Sequence, residues 1–256
     1  MSFRQQLNKA LFCAVWFALA SSANASDCKL DPVREAGVAE EVRLAAFDGE
    51  PTDISLADGQ ESRSFLAMYY EGSTDKKPFV IAHGPGQTLA SHFMTDLALS
   101  LSELGYPVLA LQMPLVERDC EGAEAYPNTF PNGFKRINAA ATWLRSRYDQ
   151  APALVGHWIA NVYFEQQKNA PFDTWIMTGI TGSIGSTGDN FPRILDVYGS
   201  EGHQMTLRWA WLRRFWLWLA PGSEQVEIDG ADHEFNGQLD EVAVEIDRFL
   251  NEAQGE

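Results

Sequence analysis

The stretch LVGHWIAN at residues 154–161 decides the fold. Its apolar start predicts a strand, its glycine predicts a sharp turn, and the pattern that continues to residue 167 predicts a helix. A strand that runs through a turn into a helix is typical of a parallel sheet covered by helices. In such open sheets, ligands bind at the carboxyl ends of the strands. We therefore expect a functional site at this turn.

The same alternation of strand and helix continues on both sides of this stretch. Apolar runs predict strands at residues 42–47, 64–70, 79–82, 108–111, 153–155, 175–177, 194–198 and 224–229. Apolar residues at helical spacing predict helices at residues 89–104, 134–148, 159–167, 203–219 and 237–252. Continuous apolar runs suit strands that are buried on both faces. We expect one α/β domain, a three-layer sandwich with a mostly parallel sheet and an antiparallel N-terminal edge.

Three more loops are expected at the same edge of the sheet, namely HGPG at residues 83–86, LDVYGSEGH at 195–203 and GADHEF at 230–235. In chain order, the four stretches resemble the oxyanion loop, nucleophile elbow, acid loop and histidine loop of the α/β-hydrolase superfamily. The resemblance covers nearly the whole chain after residue 25. The pieces HGPGQ, ILDVYGS and GADHEF also resemble a bacterial group of exported α/β-hydrolase-like proteins of unassigned function. The short link between Thr181 and Arg193 predicts no large lid.

The resemblance implies a G-x-S-x-G elbow with a serine at its tip. Gly156 and His157 match that pattern, but Trp158 stands at the nucleophile position and Ala160 at the second glycine. An indole is not a nucleophile, and its N–H only donates hydrogen bonds. The backbone at such a tip is strained by about 1–3 kcal/mol. We expect either a relaxed elbow or a Trp158 ring that fills the former substrate pocket.

The loop that resembles the oxyanion loop of the superfamily differs from that pattern. Such a loop normally offers a backbone N–H to developing negative charge. Pro85 follows Gly84 and has no N–H, so a donor is missing there. Gly86 or Gln87 are the expected substitutes.

The acid position of the resemblance is altered too, whereas the histidine is retained. Gly202 stands where the acid is expected, and Asp196 and Glu201 are alternatives that need a shifted geometry. His233 is the remnant base. The order 158, 202, 233 agrees with the order nucleophile, acid, histidine of that fold.

These changes predict the loss of serine-hydrolase activity, because removal of a nucleophile alone lowers the rate of catalysis by about 10⁶-fold. We expect a degenerate triad in an exported protein that is non-catalytic and acts in binding or in association with the envelope. The alternative is an active ester or acyl hydrolase that uses His233 as base and a non-standard nucleophile. Ser183 and Ser186, in a Gly-rich loop after a strand, are the candidates for that nucleophile. His157 is a further pocket residue, either in contact with a ligand or packed in the turn.

The first 25 residues have the pattern of a secretory signal peptide. Arg4 and Lys9 form a basic start, residues 10–20 are an uninterrupted apolar run, and Ala23 and Ala25 fit a cleavage site. The run is too short to span a bilayer as a helix. We expect a single domain at residues 26–256, exported to the periplasm, with secretion as the alternative and with no transmembrane segment in the mature chain.

Two cysteines remain after the signal peptide, Cys28 and Cys120. Disulfides form and persist in oxidising compartments outside the cytosol. We therefore expect a Cys28–Cys120 disulfide that joins the mature N-terminus to a loop. The alternative is two unrelated thiols.

Composition and charge exclude other classes of protein. The chain has 256 residues, of which 45% are hydrophobic and 12% aromatic, so it is not disordered. Its formal net charge of −16 makes nucleic acid an improbable partner. The five histidines have no tight spacing, so neither a metal nor another cofactor is expected. The expected partner is a small molecule or an envelope protein.

The helix at residues 203–219 is rich in aromatic and arginine residues. It carries Trp209, Trp211, Phe215, Trp216, Trp218, Arg208, Arg213 and Arg214. The simplest interpretation is that the aromatic rings pack on the sheet and the arginines face water. The alternative is a surface contact with a membrane or a partner through Trp211, Phe215 and Trp218.

Overall fold

The computed structural model describes residues 29–45, 48–56, 63–84, 86–120, 129–158, 172–184 and 192–252. Eight strands lie in this part of the chain: β1 Glu50–Leu56, β2 Arg63–Tyr70, β3 Phe79–Ala82, β4 Val108–Leu111, β5 Ala153–His157, β6 Thr174–Thr178, β7 Arg193–Gly199 and β8 Glu224–Ile228. It also contains five α-helices: α1 Pro32–Leu44, α2 His92–Glu103, α3 Phe130–Arg145, α4 Gln204–Trp218 and α5 Leu239–Glu252. The predicted signal peptide and the helix predicted at 159–167 lie outside these residues.

The eight strands form one sheet in the order β1-β2-β4-β3-β5-β6-β7-β8. The pairs β1–β2 and β2–β4 are antiparallel, and every pair from β4 to β8 is parallel. The predicted mostly parallel sheet with an antiparallel N-terminal edge is therefore confirmed. β6 and β7 are joined by residues 179–192, too short a segment for a large lid.

The two faces of the sheet are covered by different helices. On one face, α2 and α5 pack on the sheet, and α2 buries Phe93, Leu97 and Leu101 at the predicted helical spacing. On the other face, α3 buries Ile137 and α4 adds Leu217. β3, β4 and β5 lie between these layers and are buried throughout, which explains their continuous apolar sequences.

The strand predicted at 42–47 is wrong, because residues 32–44 form α1. Pro32 stands in the first turn, where its missing N–H is not needed, and the carboxylate of Asp31 accepts the N–H of Arg34. These helix-start signals outweigh the short apolar run. The antiparallel edge consists instead of β1 and β2. Helix α3 also begins earlier than predicted, at Phe130.

The start of the described chain pairs with the segment that precedes Cys120. Leu30 forms an isolated antiparallel bridge with Val116, and the N–H of Asp31 donates to the carbonyl of Leu115 over 2.8 Å. Cys28 lies outside the described residues, so the Cys28–Cys120 disulfide stays a prediction. Within the residues that the structure describes, no helix is long and apolar enough to cross a membrane.

Candidate functional site

The backbone of the turn after β5, where the elbow is predicted, is strained. Trp158 has a φ of +62°, a left-handed value that is uncommon for a residue with a side chain. The turn packs tightly on the loop after β3, because a Cβ at Gly84 would lie 2.9 Å from the Cβ of Trp158 and 3.1 Å from the carbonyl oxygen of His157. The elbow is therefore not relaxed.

The indole of Trp158 lies against the retained histidine. The ring centroids of Trp158 and His233 are 5.7 Å apart, and the ring planes meet at 87°. A Cβ at Gly84 would also lie 3.5 Å from Cε3 of the indole. The ring thus lies between the oxyanion loop and His233, where the resemblance implies a serine hydroxyl and an acyl group.

The loop that carries His233 connects β8 to α5 and is fixed by its own hydrogen bonds. The carboxylate of Asp232 accepts the backbone N–H groups of Glu234 (3.0 Å) and Asn236 (3.1 Å). Burial acts to raise the pKa of Asp232, but the hydrogen bonds from Asn236, Glu234 and Phe235 outweigh it and lower the pKa. Phe235 is buried at a φ of +56°, a second strained position. The loop therefore holds His233 in a defined place.

His233 has no hydrogen-bond partner for either ring nitrogen among the described residues. Burial lowers the pKa of His233 to about 4, and the neighbouring His157 acts in the same direction. The imidazole is therefore neutral at pH 7. Gly179, at a φ of +59°, lies under both rings, because a Cβ there would be 3.1 Å from His157 and 3.2 Å from His233.

His157 lies wholly buried between the sheet and α2. Its ring stacks on Phe93 at a centroid distance of 4.1 Å, and its Nδ1 is 3.2 Å from the hydroxyl of Thr178. The hydroxyl of Thr178 donates to the carbonyl of Gly156. His157 Nε2 is 3.4 Å from the Oε2 atom of Glu234, within reach of an ion pair, but it makes no hydrogen bond to a described residue.

Glu234 and Gln87 connect the loop after β8 to the loop after β3, where the oxyanion loop is predicted. The amide of Gln87 donates to Oε2 of Glu234, and its carbonyl oxygen accepts the N–H of Gly84 over 3.1 Å. Burial acts to raise the pKa of Glu234, but His157, His233 and Gln87 outweigh it, so the pKa lies below its ordinary value. Two of the expected oxyanion residues, Gly84 and Gln87, therefore bind each other. Gly86 has a φ of +76°.

His83, at the start of the same loop, is a buried residue that the sequence analysis did not single out. Its Nδ1–H donates to the carbonyl of Gly84 over 2.8 Å, and its Nε2 accepts the N–H of Met113 over 3.0 Å. Burial lowers its pKa to about 4. His83 therefore fixes the loop after β3 as a neutral side chain.

Within the described residues, no hydrogen bond joins His233 to Gly202, Glu201 or Asp196, the three residues considered for the acid position. Gly202 donates its N–H to the carbonyl of Gly199. The side chain of Glu201 is exposed. Oδ2 of Asp196 accepts from Nε of Arg213 and from the amide of Gln225, each over 2.7 Å.

Arg213 corrects the expectation that the arginines of α4 face water. Its side chain is 0% exposed, and its Nη1 donates to the carbonyls of Gly182 and Thr206. The physical reason is the buried charge of Asp196, which needs a compensating charge inside the protein.

Three aromatic residues of α4 also depart from the simplest expectation that they pack on the sheet. Trp211 is 68% exposed, Phe215 46% and Trp218 77%. These are the residues named for a surface contact, and that contact stays a prediction.

Of the two candidate substitute nucleophiles, the structure describes only Ser183. The hydroxyl of Ser183 donates to the carbonyl of Ile184 over 3.0 Å. Ser186 lies outside the described residues.

The fold joins residues that are distant in sequence into one cluster of metal-binding types. His157, His233 and Glu234 each offer one ligand atom, and these atoms lie within 4.8 Å of one another. The wide spacing of the histidines in the sequence predicts no metal. The cluster is not visible in the sequence because its members come from β5 and from the loop after β8.

A separate cleft of about 380 Å³ lies at the opposite, amino-terminal edge of the strands. Its walls include Lys77, Asp173 and Arg193. Lys77 forms an ion pair with Asp173 over 2.8 Å, and Arg193 donates to the carbonyls of Gly222 and Phe249. The charges of this cleft already have partners, so the carboxyl edge is the better candidate for a site.

Comparison with known proteins gives similarity of structure only. No protein-family model and no curated protein matches the chain. Est1E from Butyrivibrio proteoclasticus is similar, with a TM-score of 0.58 and 14% identity over 82% of this chain and 100% of that one. An α/β serine hydrolase without lid from Xanthomonas campestris has a TM-score of 0.58 and 17% identity, over 81% and 97% of the chains. A dienelactone hydrolase from Anabaena variabilis has a TM-score of 0.56 and 16% identity, over 80% and 98%. Identities this low show a shared fold alone.

Proposed function

Starting from the α/β-hydrolase fold of this chain, we propose that the protein is a non-catalytic member that binds a ligand at the elbow instead of hydrolysing it. One observation carries the proposal: Trp158 holds the strained tip of the elbow at a φ of +62°, with its indole against His233. The indole has no atom that can attack a carbonyl carbon.

The surroundings of His233 support this proposal. In a hydrolase triad, an acid holds the histidine in the correct tautomer and stabilises its charged form. Neither ring nitrogen of His233 is hydrogen-bonded to a described residue. Glu201, the acid next to the expected position, has an exposed side chain, and Asp196 is held by Arg213 and Gln225. A histidine without an acid is a weak general base for an alcohol.

The oxyanion loop supports the proposal as well. Catalysis of acyl transfer needs N–H donors aimed at the position of the developing oxyanion. The N–H of Gly84 is instead bonded to Gln87, and the amide of Gln87 is bonded to Glu234. A substrate oxyanion would have to break these internal hydrogen bonds.

The proposal includes export to the periplasm as a single domain after removal of residues 1–25. The basic start, apolar run and small residues at 23 and 25 support it. The ligand in this proposal is a small molecule or a group on an envelope protein.

The test is hydrolysis of p-nitrophenyl esters with short and medium acyl chains, using the chain from Ser26 onward. The wild type is expected to give no turnover above its His233→Ala variant. Trp158→Ser is expected to gain weak turnover that disappears when His233→Ala is added, because a hydroxyl then stands at the elbow beside the histidine.

Turnover by the wild type that His233→Ala abolishes would overturn the proposal. It would favour the alternative of an active ester or acyl hydrolase with a non-standard nucleophile. Ser183→Ala and Ser186→Ala would then be the first variants to compare.

A further inference from the structure

We propose that His157, His233 and Glu234 form a binding site for one divalent transition-metal ion of the Zn²⁺ type. Their ligand atoms lie within 4.8 Å of one another. Two imidazoles and one carboxylate are a donor set that such ions prefer. The inference deepens the proposed function and rests on it, since it names the ligand class of the elbow pocket.

The hydrogen bonds around His157 determine which of its nitrogens is available. The hydroxyl of Thr178 has one proton, which it donates to the carbonyl of Gly156. With its proton on that carbonyl, the hydroxyl oxygen accepts the Nδ1–H of His157 at 3.2 Å, which corresponds to the Nδ1–H tautomer. In this tautomer Nε2 is the nitrogen of His157 that carries the lone pair. A histidine that binds a metal through one nitrogen typically donates its other N–H in this way.

The available nitrogen of His157 faces a second acceptor. Its Nε2 lies 3.4 Å from Oε2 of Glu234 and has no hydrogen bond to a described residue, although the side chain is 0% exposed. His157 is the buried partner of this pair, while the side chain of Glu234 is 39% exposed. Two acceptors at this distance repel each other unless a cation lies between them, either a proton or a metal ion.

The position of His233 indicates that the cation between His157 and Glu234 is a metal ion and not a proton. Its ring lies 5.0 Å from that of His157, and both of its nitrogens are buried without a partner among the described residues. A proton on His157 would serve Glu234 and leave His233 unpaired. A metal ion would bind all three side chains, and its remaining coordination position would take a water or an anionic ligand.

The ligands are held in place before any ion binds. Phe93 stacks on His157, and Gln87 donates to the carboxylate of Glu234. Gly179 packs closely under both rings, since a Cβ at this position would lie 3.1 Å from His157 and 3.2 Å from His233 and would crowd them. Support of this kind holds a site in its binding geometry.

The experiment is a titration of the chelator-treated, tag-free chain from Ser26 onward with ZnCl₂ by calorimetry and with CoCl₂ by visible absorption. The wild type is expected to bind one equivalent of each ion. Glu234→Gln and His233→Asn are each expected to weaken binding by at least about 100-fold, because loss of a ligand exceeds the 10–100-fold effect of losing a hydrogen-bond partner of a ligand. His92→Asn is the control, since His92 is 90% exposed and outside the cluster.

Thr178 offers a second pair of variants that keep every ligand. Thr178→Val removes the acceptor for His157 and is expected to weaken Zn²⁺ binding by about 10–100-fold, whereas Thr178→Ser is expected to retain wild-type binding. Circular dichroism checks that each variant is folded. The inference is overturned if the folded wild type binds no ion, or if Glu234→Gln and His233→Asn bind as tightly as His92→Asn does.

The same samples separate this inference from the proposed function. Wild-type ester turnover that needs His233 but not the metal would overturn the proposed function alone. Absence of both turnover and metal binding would overturn the metal site alone.

Discussion

His83 and His233 lie at the same edge of the sheet, and burial lowers the pKa of each to about 4. The two histidines differ in whether their ring nitrogens have hydrogen-bond partners. His83 donates to Gly84 and accepts from Met113, so both of its ring nitrogens are used. His233 has no such partner among the described residues. Burial therefore sets how a histidine titrates, while its hydrogen bonds show whether it serves the fold or is available to a ligand.

The largest effect is expected at Arg213, a buried polar residue whose hydrogen bonds resemble those of His83. Arg213→Met should lower the free energy of unfolding by about 3–5 kcal/mol, because it leaves the charge of Asp196 buried and unpaired. Urea unfolding measures the loss. Arg214→Met, at an exposed neighbour on the same helix, is the control and should change stability by less than about 0.5 kcal/mol. A loss below 1 kcal/mol for Arg213→Met would contradict the rule drawn from the two histidines.

The two histidines themselves should differ in the same experiment. His83→Ala should cost about 3 kcal/mol, because the carbonyl of Gly84 and the N–H of Met113 lose a buried partner. His233→Ala should cost no more than about 1 kcal/mol, since it breaks no hydrogen bond to a described residue. Equal losses of unfolding free energy for the two variants would contradict the conclusion that His83 serves the fold and His233 does not.

The titration of His83 contributes to the pH dependence of stability. Its pKa falls from 6.5 to about 4 on folding, through burial first and then through Arg136 and His157, with the hydrogen bond to Gly84 acting in opposition. The unfolded chain therefore binds more protons between these values, so stability is complete above pH 6.5 and declines as the pH falls towards 4. The loss of unfolding free energy that is due to His83 should be about 1 kcal/mol at pH 5.5 and about 3 kcal/mol at pH 4.

This loss is measured by urea unfolding across that pH range, as the difference in unfolding free energy between the wild type and His83→Gln. The variant should show a shallower decline than the wild type. Parallel curves for the two proteins would mean that His83 does not resist protonation.

The smallest effect concerns the strain at Trp158. Trp158→Gly should be more stable than Trp158→Ala by about 1 kcal/mol, because both variants remove the indole but only glycine adopts a φ of +62° without a penalty. Urea unfolding of the two variants gives the difference directly. An alanine variant as stable as the glycine variant would show that the elbow relaxes once the ring is removed.

Local sequence patterns predicted the central strands and the buried helix faces of the fold. The apolar runs at 79–82 and 108–111 became buried central strands, and the spacing of Phe93, Leu97 and Leu101 became the buried face of α2. Each of these features depends on a few consecutive residues and on burial, which a sequence displays directly. The strand predicted at 42–47 failed because the capping signals of Asp31 and Pro32 precede it by many residues.

The contacts within the candidate site could not be read from the sequence in the same way. Gln87 and Glu234 are separated by 147 positions, and their hydrogen bond depends on how two loops meet at the sheet edge. The burial of Arg213 depends on Asp196, which stands on a different element. The sequence marked His157 and His233 individually, but no local pattern shows that these two side chains meet Glu234 in one cluster.

The backbone at position 158 has a consequence for the genetics of the chain. Tryptophan has the single codon TGG, and one base change converts it to TCG, which encodes serine. The left-handed turn and its packing on Gly84 involve the backbone and the Cβ, which serine also has. A single point mutation would therefore place a hydroxyl at the tip of an elbow that is already folded, so the gene lies one nucleotide from restoring a nucleophile.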